Sequence, residues 1–238
     1  MPTRAIALAP GVWRMPTFGR NLINSFAFVE SDGSVTLIDA GLRGATRKLV
    51  AALASIDVRP EAVTRIIATH AHSDHIGDAR RLRTATGGEL HVHEHDAGYV
   101  RDGTPPPRDP AVPLAKVLGF LQRRQAKSDV DATYTDNDVL PVAGGLRVLH
   151  TPGHTPGHCS FLHEPSGVLI TGDALVNFRG KMNYSFASSC SNFAMSKDTA
   201  ERLGDVDYEL VAFTHGPEIR TGARQAVREF LKVRLAGS

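Results

Sequence analysis

Apolar and polar positions along the chain switch between two periods. Asn24 to Glu30 is a β-rich run, Asp32 and Gly33 supply a turn, and Ser34 to Ile38 is a second strand, which predicts a hairpin. Gly44 to Ile56 changes to helical spacing, with Leu49, Leu53 and Ile56 on one face and Val50 beside them. Val63 to Ala68 is a short β-branched run, read as a buried strand that delivers the segment at Thr69 to His75. Asp78 to Thr86 reads as a helix stopped by Gly87 and Gly88, followed by a strand at Glu89 to His93. Gly103 to Pro113 is proline-rich and reads as a loop, and Leu114 to Lys127 as a helix with Val117, Leu118 and Leu121 inward and Arg123 and Arg124 outward. Four short strands are predicted next, at Val139 to Val142, Leu146 to His150, Cys159 to His163 and Val168 to Thr171. Gly180 to Asn192 lacks a period and reads as a loop. A helix at Ser196 to Leu203, a strand at Leu210 to Thr214 and a terminal helix at Thr221 to Leu235, with Ala226, Phe230 and Val233 inward, complete the chain.

Strands and helices thus alternate, but in two strand-rich clusters, a pattern that suggests helices covering face-to-face sheets. No low-complexity linker divides the 238 residues, so a single domain over 1–238 is expected. The segment 101–130 is read as a cap within it. Composition excludes collagen, a disordered tail and a disulfide scaffold: the two cysteines, Cys159 and Cys190, could form one bridge at most. A net charge of +2 gives no reason to expect a nucleic-acid or anionic-membrane partner. Ala5 to Val12 is apolar but is interrupted by Pro10 and Gly11 and is short for an export signal, so a cytoplasmic location is expected. Histidine stands out, with 11 copies, several of them packed into short motifs.

The densest motif is Thr69-His70-Ala71-His72-Ser73-Asp74-His75, directly after an apolar strand. Imidazole nitrogen and carboxylate oxygen are the ligands that Zn²⁺ and related ions accept. Residues i and i+2 leaving a strand share a face, so His70 and His72 aim one way. The turn that follows can send Asp74 and His75 toward a second point. One motif could therefore supply two ligands to each of two neighbouring metals. The bland reading, a polar loop with incidental histidines, does not account for such density.

This motif resembles the signature of the metallo-β-lactamase superfamily, and further motifs resemble that family's in the same order. They are Asp39 in Leu37-Ile38-Asp39-Ala40-Gly41, His154 in the repeated Thr-Pro-Gly-His run from Thr151 to His158, Asp173 in Thr171-Gly172-Asp173, and His215 in Phe213-Thr214-His215-Gly216. The resemblance implies an α/β fold, a four-layer αβ/βα sandwich of two facing mixed sheets with helices outside. It implies that His70, His72 and His154 bind one metal, Asp74, His75 and His215 the other, and that Asp173 bridges them. It implies two Zn²⁺ per chain, with Fe or Mn as alternatives. A hydroxide between them would attack an ester, thioester, lactone or amide carbonyl of a small-molecule substrate, with Asp74 orienting it. Asp74, His215 and Tyr184 are the expected catalytic residues. Asp39 is read as steadying the ligand loops.

The ligand set is nearer glyoxalase II and the lactonases than the antibiotic-destroying class, which commonly has cysteine in its second metal site. One helix's length of chain follows His215, which leaves a full glutathione site in doubt. Arg179, Lys181 and Tyr184, shortly after Asp173, are candidates to hold substrate or support an oxyanion. The alternative in another class is an oxidoreductase resembling the mononuclear iron persulfide dioxygenases. His91, His93 and His95 are read as surface histidines, His158 as a hydrogen-bonding neighbour of the site, Cys159 as a small buried hydrophobe, and Cys190 as a thiol that could face the site.

Overall fold

The computed structural model describes residues 4–120 and 125–235, with backbone alone at 119–120 and 233–235. The chain opens with strands β1 (Ile6–Ala9), β2 (Val12–Phe18), β3 (Ile23–Val29) and β4 (Val35–Ile38), each antiparallel to the one before it. Pro10 and Gly11 therefore make a hairpin turn, with Gly11 at φ 71°, rather than interrupting a leader-like run. Helix α1 (Thr46–Ala54) crosses to the parallel strand β5 (Val63–Ile67). A short turn of helix, α2 (Ser73–Ile76), and α3 (Ala79–Thr86) lead to β6 (Glu89–His93), also parallel. After α4 (Glu94–Asp102) and α5 (Pro113–Phe120), β7 (Ala132–Tyr134) completes a seven-stranded sheet in the order β1 to β7.

The second sheet has five strands. Its members are β8 (Val139–Leu140), β9 (Leu146–His150), β10 (Cys159–His163), β11 (Val168–Ile170) and, beyond a hairpin of β12 (Leu175–Phe178) and β13 (Lys181–Tyr184), strand β14 (Leu210–Ala212). Helix α6 (Phe193–Ala200) precedes β14 and α7 (Ala223–Leu235) follows it.

Period-two alternation explains the layers. In β3, Phe26 and Phe28 point between the sheets, where they meet Ile38, Ile67, Val148, Phe161 and Ile170. Ala27 and Leu37 point the other way, onto Leu49, Leu53 and Leu82 of α1 and α3. In the second sheet Leu162 and Leu169 face outward against Leu203, Val227 and Leu231. Each sheet is thus apolar on both faces and covered by helices on one, the α–β–β–α arrangement expected from the strand clusters.

Several local expectations are corrected. Residues 181–184 are not loop but β13, paired with β12. The tip of that hairpin, Arg179 and Gly180, takes φ of 53° and 78°, which suits a tight turn but is unusual for arginine. The sequence pattern predicts neither helix α4, which follows β6, nor strands β1, β2, β7 and β12. The inward face of α7 is Ala223, Val227 and Leu231; of the predicted stripe, Ala226 is half-buried, Phe230 is half-buried and packs against that face, and the side chain of Val233 lies outside the described residues. The predicted helix from Leu114 is present to Phe120, but Ala115 is buried in it and Val117, predicted inward, is exposed; Leu121, Arg123 and Arg124 lie outside the described residues. None of the described helices is long and apolar enough to cross a membrane.

Candidate metal centre

The site lies along one edge of the sandwich, where strand ends from both sheets meet. Strand β4 ends at Asp39, β5 at the His70–His75 motif, β9 four residues before His154, β11 just before Asp173, and β14 just before His215. Residues scattered over the sequence therefore converge because their strands run to the same rim.

Three imidazole nitrogens face one another: His70 Nε2 is 3.1 Å from His72 Nδ1, which is 2.9 Å from His154 Nε2. The rings stand nearly perpendicular, at 83° to 85°. Burial, then the neighbouring imidazole of His154, holds His72 down to about 3. Burial and the neighbouring His75 likewise hold His70 well below its ordinary range. Both rings are therefore neutral, with lone pairs available to a cation. Tetrahedral zinc with nitrogen ligands at about 2.0–2.1 Å would place such nitrogens about 3.3 Å apart, close to what is seen.

A second group faces the first. His215 Nε2 lies 3.4 Å from Asp74 Oδ2 and His75 Nε2 lies 3.6 Å from the same oxygen. Asp173 sits between the groups. Its Oδ1 is 3.4 Å from His75 Nε2 and 3.3 Å from His215 Nε2, while its Oδ2 is 3.2 Å from His154 Nε2. Burial raises the carboxyl pKa values here, but the surrounding imidazoles outweigh it. Asp173 is held well below the ordinary carboxylate range by His215, His75 and His154, and Asp74 by His75 and His215. Conversely, burial disfavours charge on the histidines, but Asp173 and Asp74 prevail and raise His215 to about 10 and His75 well above its ordinary value. Protons on these rings thus stand where positive charge is wanted.

The fit to a metal rests on one orphaned atom. His75 Nε2 is buried and has no hydrogen-bond partner among the described residues, although it points at two carboxylates. Such an atom costs free energy unless something occupies the space before it. The other ring nitrogen, Nδ1, donates to Asp39 Oδ2 at 2.8 Å, which fixes the ring and leaves Nε2 as the nitrogen a metal would take in exchange for its proton. Asp39 also accepts from the Thr69 backbone N–H at 2.7 Å and from its hydroxyl. It does so from a left-handed backbone at φ 64°.

Asp96 and Asn24 support the site with no motif to announce them, whereas His158 and Cys190 stand beside it as their sequence positions suggest. Asp96, buried in α4, accepts from Ala71 N–H, Thr155 Oγ1 and Gly157 N–H at 2.8, 2.6 and 2.7 Å, which pins both histidine loops together. Asn24 of β3 donates to the carbonyls of Phe213 and Gly216 on either side of His215. His158 donates to the Thr151 carbonyl, so its Nε2 accepts from Asp173 N–H at 2.7 Å. Burial holds its pKa well down, consistent with that neutral form. A Cβ on Gly172 would stand 2.5 Å from His158 Nε2 at φ 54°, so only glycine suits that turn. Cys190 is buried with Sγ 3.5 Å from His154 Nδ1, and burial pushes its thiol up to about 12. Both cysteines are free.

The structure does not bring every candidate to the centre. Tyr184 pairs across the hairpin with Leu175, and its ring packs 5.0 Å from Phe230 of α7, in the outer apolar layer. Register decides this: Tyr184 shares its face with Leu175, whereas Lys181 shares the opposite face with Phe178. Phe178 lies 6.3 Å from the His215 ring and 5.6 Å from Phe186. Arg179 sits at the hairpin tip. His93 is also corrected: it is 1% exposed, because β6 runs straight into α4 and the ring caps that helix.

The sequence from residue 19 to 215 matches the family model of the metallo-beta-lactamase superfamily. The chain belongs to that superfamily. It is 25% identical to a probable metallo-hydrolase of Bacillus subtilis (strain 168), over 81% of this chain and 80% of that one. It is 26% identical to a hydroxyacylglutathione hydrolase of Haemophilus influenzae, over 61% of this chain and 63% of that one. A metallo-beta-lactamase family protein from Thermus thermophilus shares its fold, at a TM-score of 0.71 and 24% identity, over 97% of this chain and 81% of that one. This superfamily member is accordingly an enzyme of the metallo-hydrolase type, with histidine and aspartate groups suited to hold metal.

Proposed function

We propose that this metallo-β-lactamase superfamily member is a dinuclear, zinc-dependent hydrolase of a small-molecule ester, thioester, lactone or amide. The observation that carries this reading is the split of Asp173, whose two oxygens face different histidine groups. In this reading His70, His72 and His154 hold one ion, Asp74, His75 and His215 the other, and Asp173 both. When bound, such ions supply Lewis acidity and make hydroxide accessible near neutral pH.

The chain's own groups do the rest. Asp74 is 32% exposed in its side chain, whereas His70 and His75 are fully buried, so substrate and water enter on the Asp74 side. There Asp74 accepts a hydrogen bond from the attacking water and orients it. Asp39, Asp96, His158 and Asn24 hold the ligand loops still, so geometry is set before substrate arrives. Phe178 and Phe186 give the rim beside His215 an apolar surface, and Lys181 on the same hairpin face can meet a substrate carboxylate. Tyr184 takes no catalytic part in this arrangement. In this reading 101–130 caps the site: within it Asp109 accepts from Phe193 N–H at the start of α6, and Pro107 accepts from Ser191 Oγ in the loop before it.

A panel of esters, thioesters and lactones, assayed before and after chelation, tests the reading. Hydrolysis that is lost on chelation, returns with zinc, and falls at least about a hundredfold in His72→Ala with the fold intact by circular dichroism is expected. Chelator-insensitive turnover, or oxygen uptake with a persulfide in place of hydrolysis, contradicts it.

A further inference from the structure

Outside this centre lies another meeting of three imidazoles. We propose that His93, His95 and His150 form a separate mononuclear site for a first-row divalent ion of the Zn²⁺, Cu²⁺ or Ni²⁺ class. The three come from the end of β6, the first turn of α4 and the end of β9, and each offers a ring nitrogen within 4.8 Å of the others'. The rings crowd: centroids of His93 and His150 are 4.1 Å apart and nearly parallel, and His95 stands 5.0 Å from His93 and 5.6 Å from His150. Nitrogen-rich sites of this kind select the later first-row ions over magnesium or calcium.

Hydrogen bonding prepares the site. His150 Nε2 donates to the Pro156 carbonyl at 2.9 Å, so its Nδ1 is the bare acceptor. That is the outer hydrogen bond that metal-binding imidazoles use to fix their tautomer. His93 Nδ1 accepts a long bond, 3.3 Å, from His95 N–H, a contact an incoming ion can replace. Burial, then His150 and His95, holds His93 down to about 4, so no proton has to leave it at neutral pH. His95 is mostly exposed, with its Nε2 3.7 Å from Glu94, and gives the ion a route from solvent. Asp136 lies close by, accepting from His150 N–H at 2.8 Å and holding that strand end in place, with its charge met by Arg202 at 3.0 Å.

The position gives the site a purpose. His93 is three residues from Asp96, and His150 is four from His154. An ion here clamps the two segments that hold the catalytic loops, without touching the catalytic ligands.

The test counts metal by difference. Chelator-stripped protein is dialysed against Zn²⁺ and the bound metal is counted. Wild type is compared with His95→Ala, whose side chain is exposed and safe to remove, and with His150→Asn, which keeps a donor for Pro156. Both variants are expected to hold one equivalent fewer, or to hold it at least about tenfold more weakly. The same difference is expected in an Asp173→Ala background, so it does not depend on the hydrolase reading. Equal stoichiometry and affinity in wild type and both variants overturns the proposal.

Discussion

At the scale of single residues, the centre depends on atoms that are held rather than on atoms that react. His75 is useful only because Asp39 fixes its Nδ1 proton and turns Nε2 toward Asp74 and Asp173. Asp39→Asn keeps the size but can no longer accept from Thr69 and His75 together. Metal affinity is expected to fall about 10- to 100-fold, measured by chelator competition, with little change in the thermal midpoint of the metal-free protein. An unchanged affinity would show that His75 is oriented by other means. Histidine and aspartate ligands are legible in the sequence because they sit in short motifs at strand ends. Asp96 and Asn24 are not, because each works across more than twenty residues of sequence on loops it meets only after folding. His93 escapes a sequence reading for a related reason: its burial depends on His150, which belongs to the other sheet.

At the scale of elements, the central strands are easier to read than the N-terminal hairpin β1–β2, the edge strand β7 and the hairpin β12–β13. Strands β3, β4, β10 and β11 are legible as short, largely apolar runs because each is buried on both faces. The β12–β13 hairpin is hidden because arginine, not glycine or asparagine, occupies the first left-handed position of its turn. Helix α4 is hidden because its sequence, with Gly98 at its middle and a polar start, carries no apolar stripe. These misses cost functional detail, since the hairpin decides that Tyr184 faces α7 and Phe178 faces His215. Packing between the sheets also has a measurable weight. Phe161 is fully buried among side chains of both sheets, so Phe161→Ala should cost about 3–5 kcal/mol in a urea titration. A loss below about 1 kcal/mol would mean that the sheets do not close on one another there.

For the whole molecule, the charge arrangement predicts how metal-free protein responds to pH. His72 has a folded pKa near 3, below its ordinary 6.5, so it binds fewer protons folded than unfolded between these values, and stability rises with pH there. His215 is raised to about 10, so its contribution is complete below 6.5 and is lost as pH climbs from 6.5 to 10. Stripped protein should therefore be most heat-stable near pH 6.5 and lose midpoint temperature in both directions. A midpoint that keeps rising from pH 6.5 to 9 would contradict the electrostatics described. With ions bound, the alkaline loss should vanish, because His215 then carries metal rather than a proton.

The central claim is that Asp173 joins two metal positions into one centre. It is tested most directly by counting zinc and iron in protein purified without chelator, in a His95→Ala background so that this centre alone is counted. The account predicts about two zinc ions per chain, the number seven ligands sharing one bridge can hold, falling below one in Asp173→Ala. A single iron per chain, or a count that Asp173→Ala leaves unchanged, would contradict it.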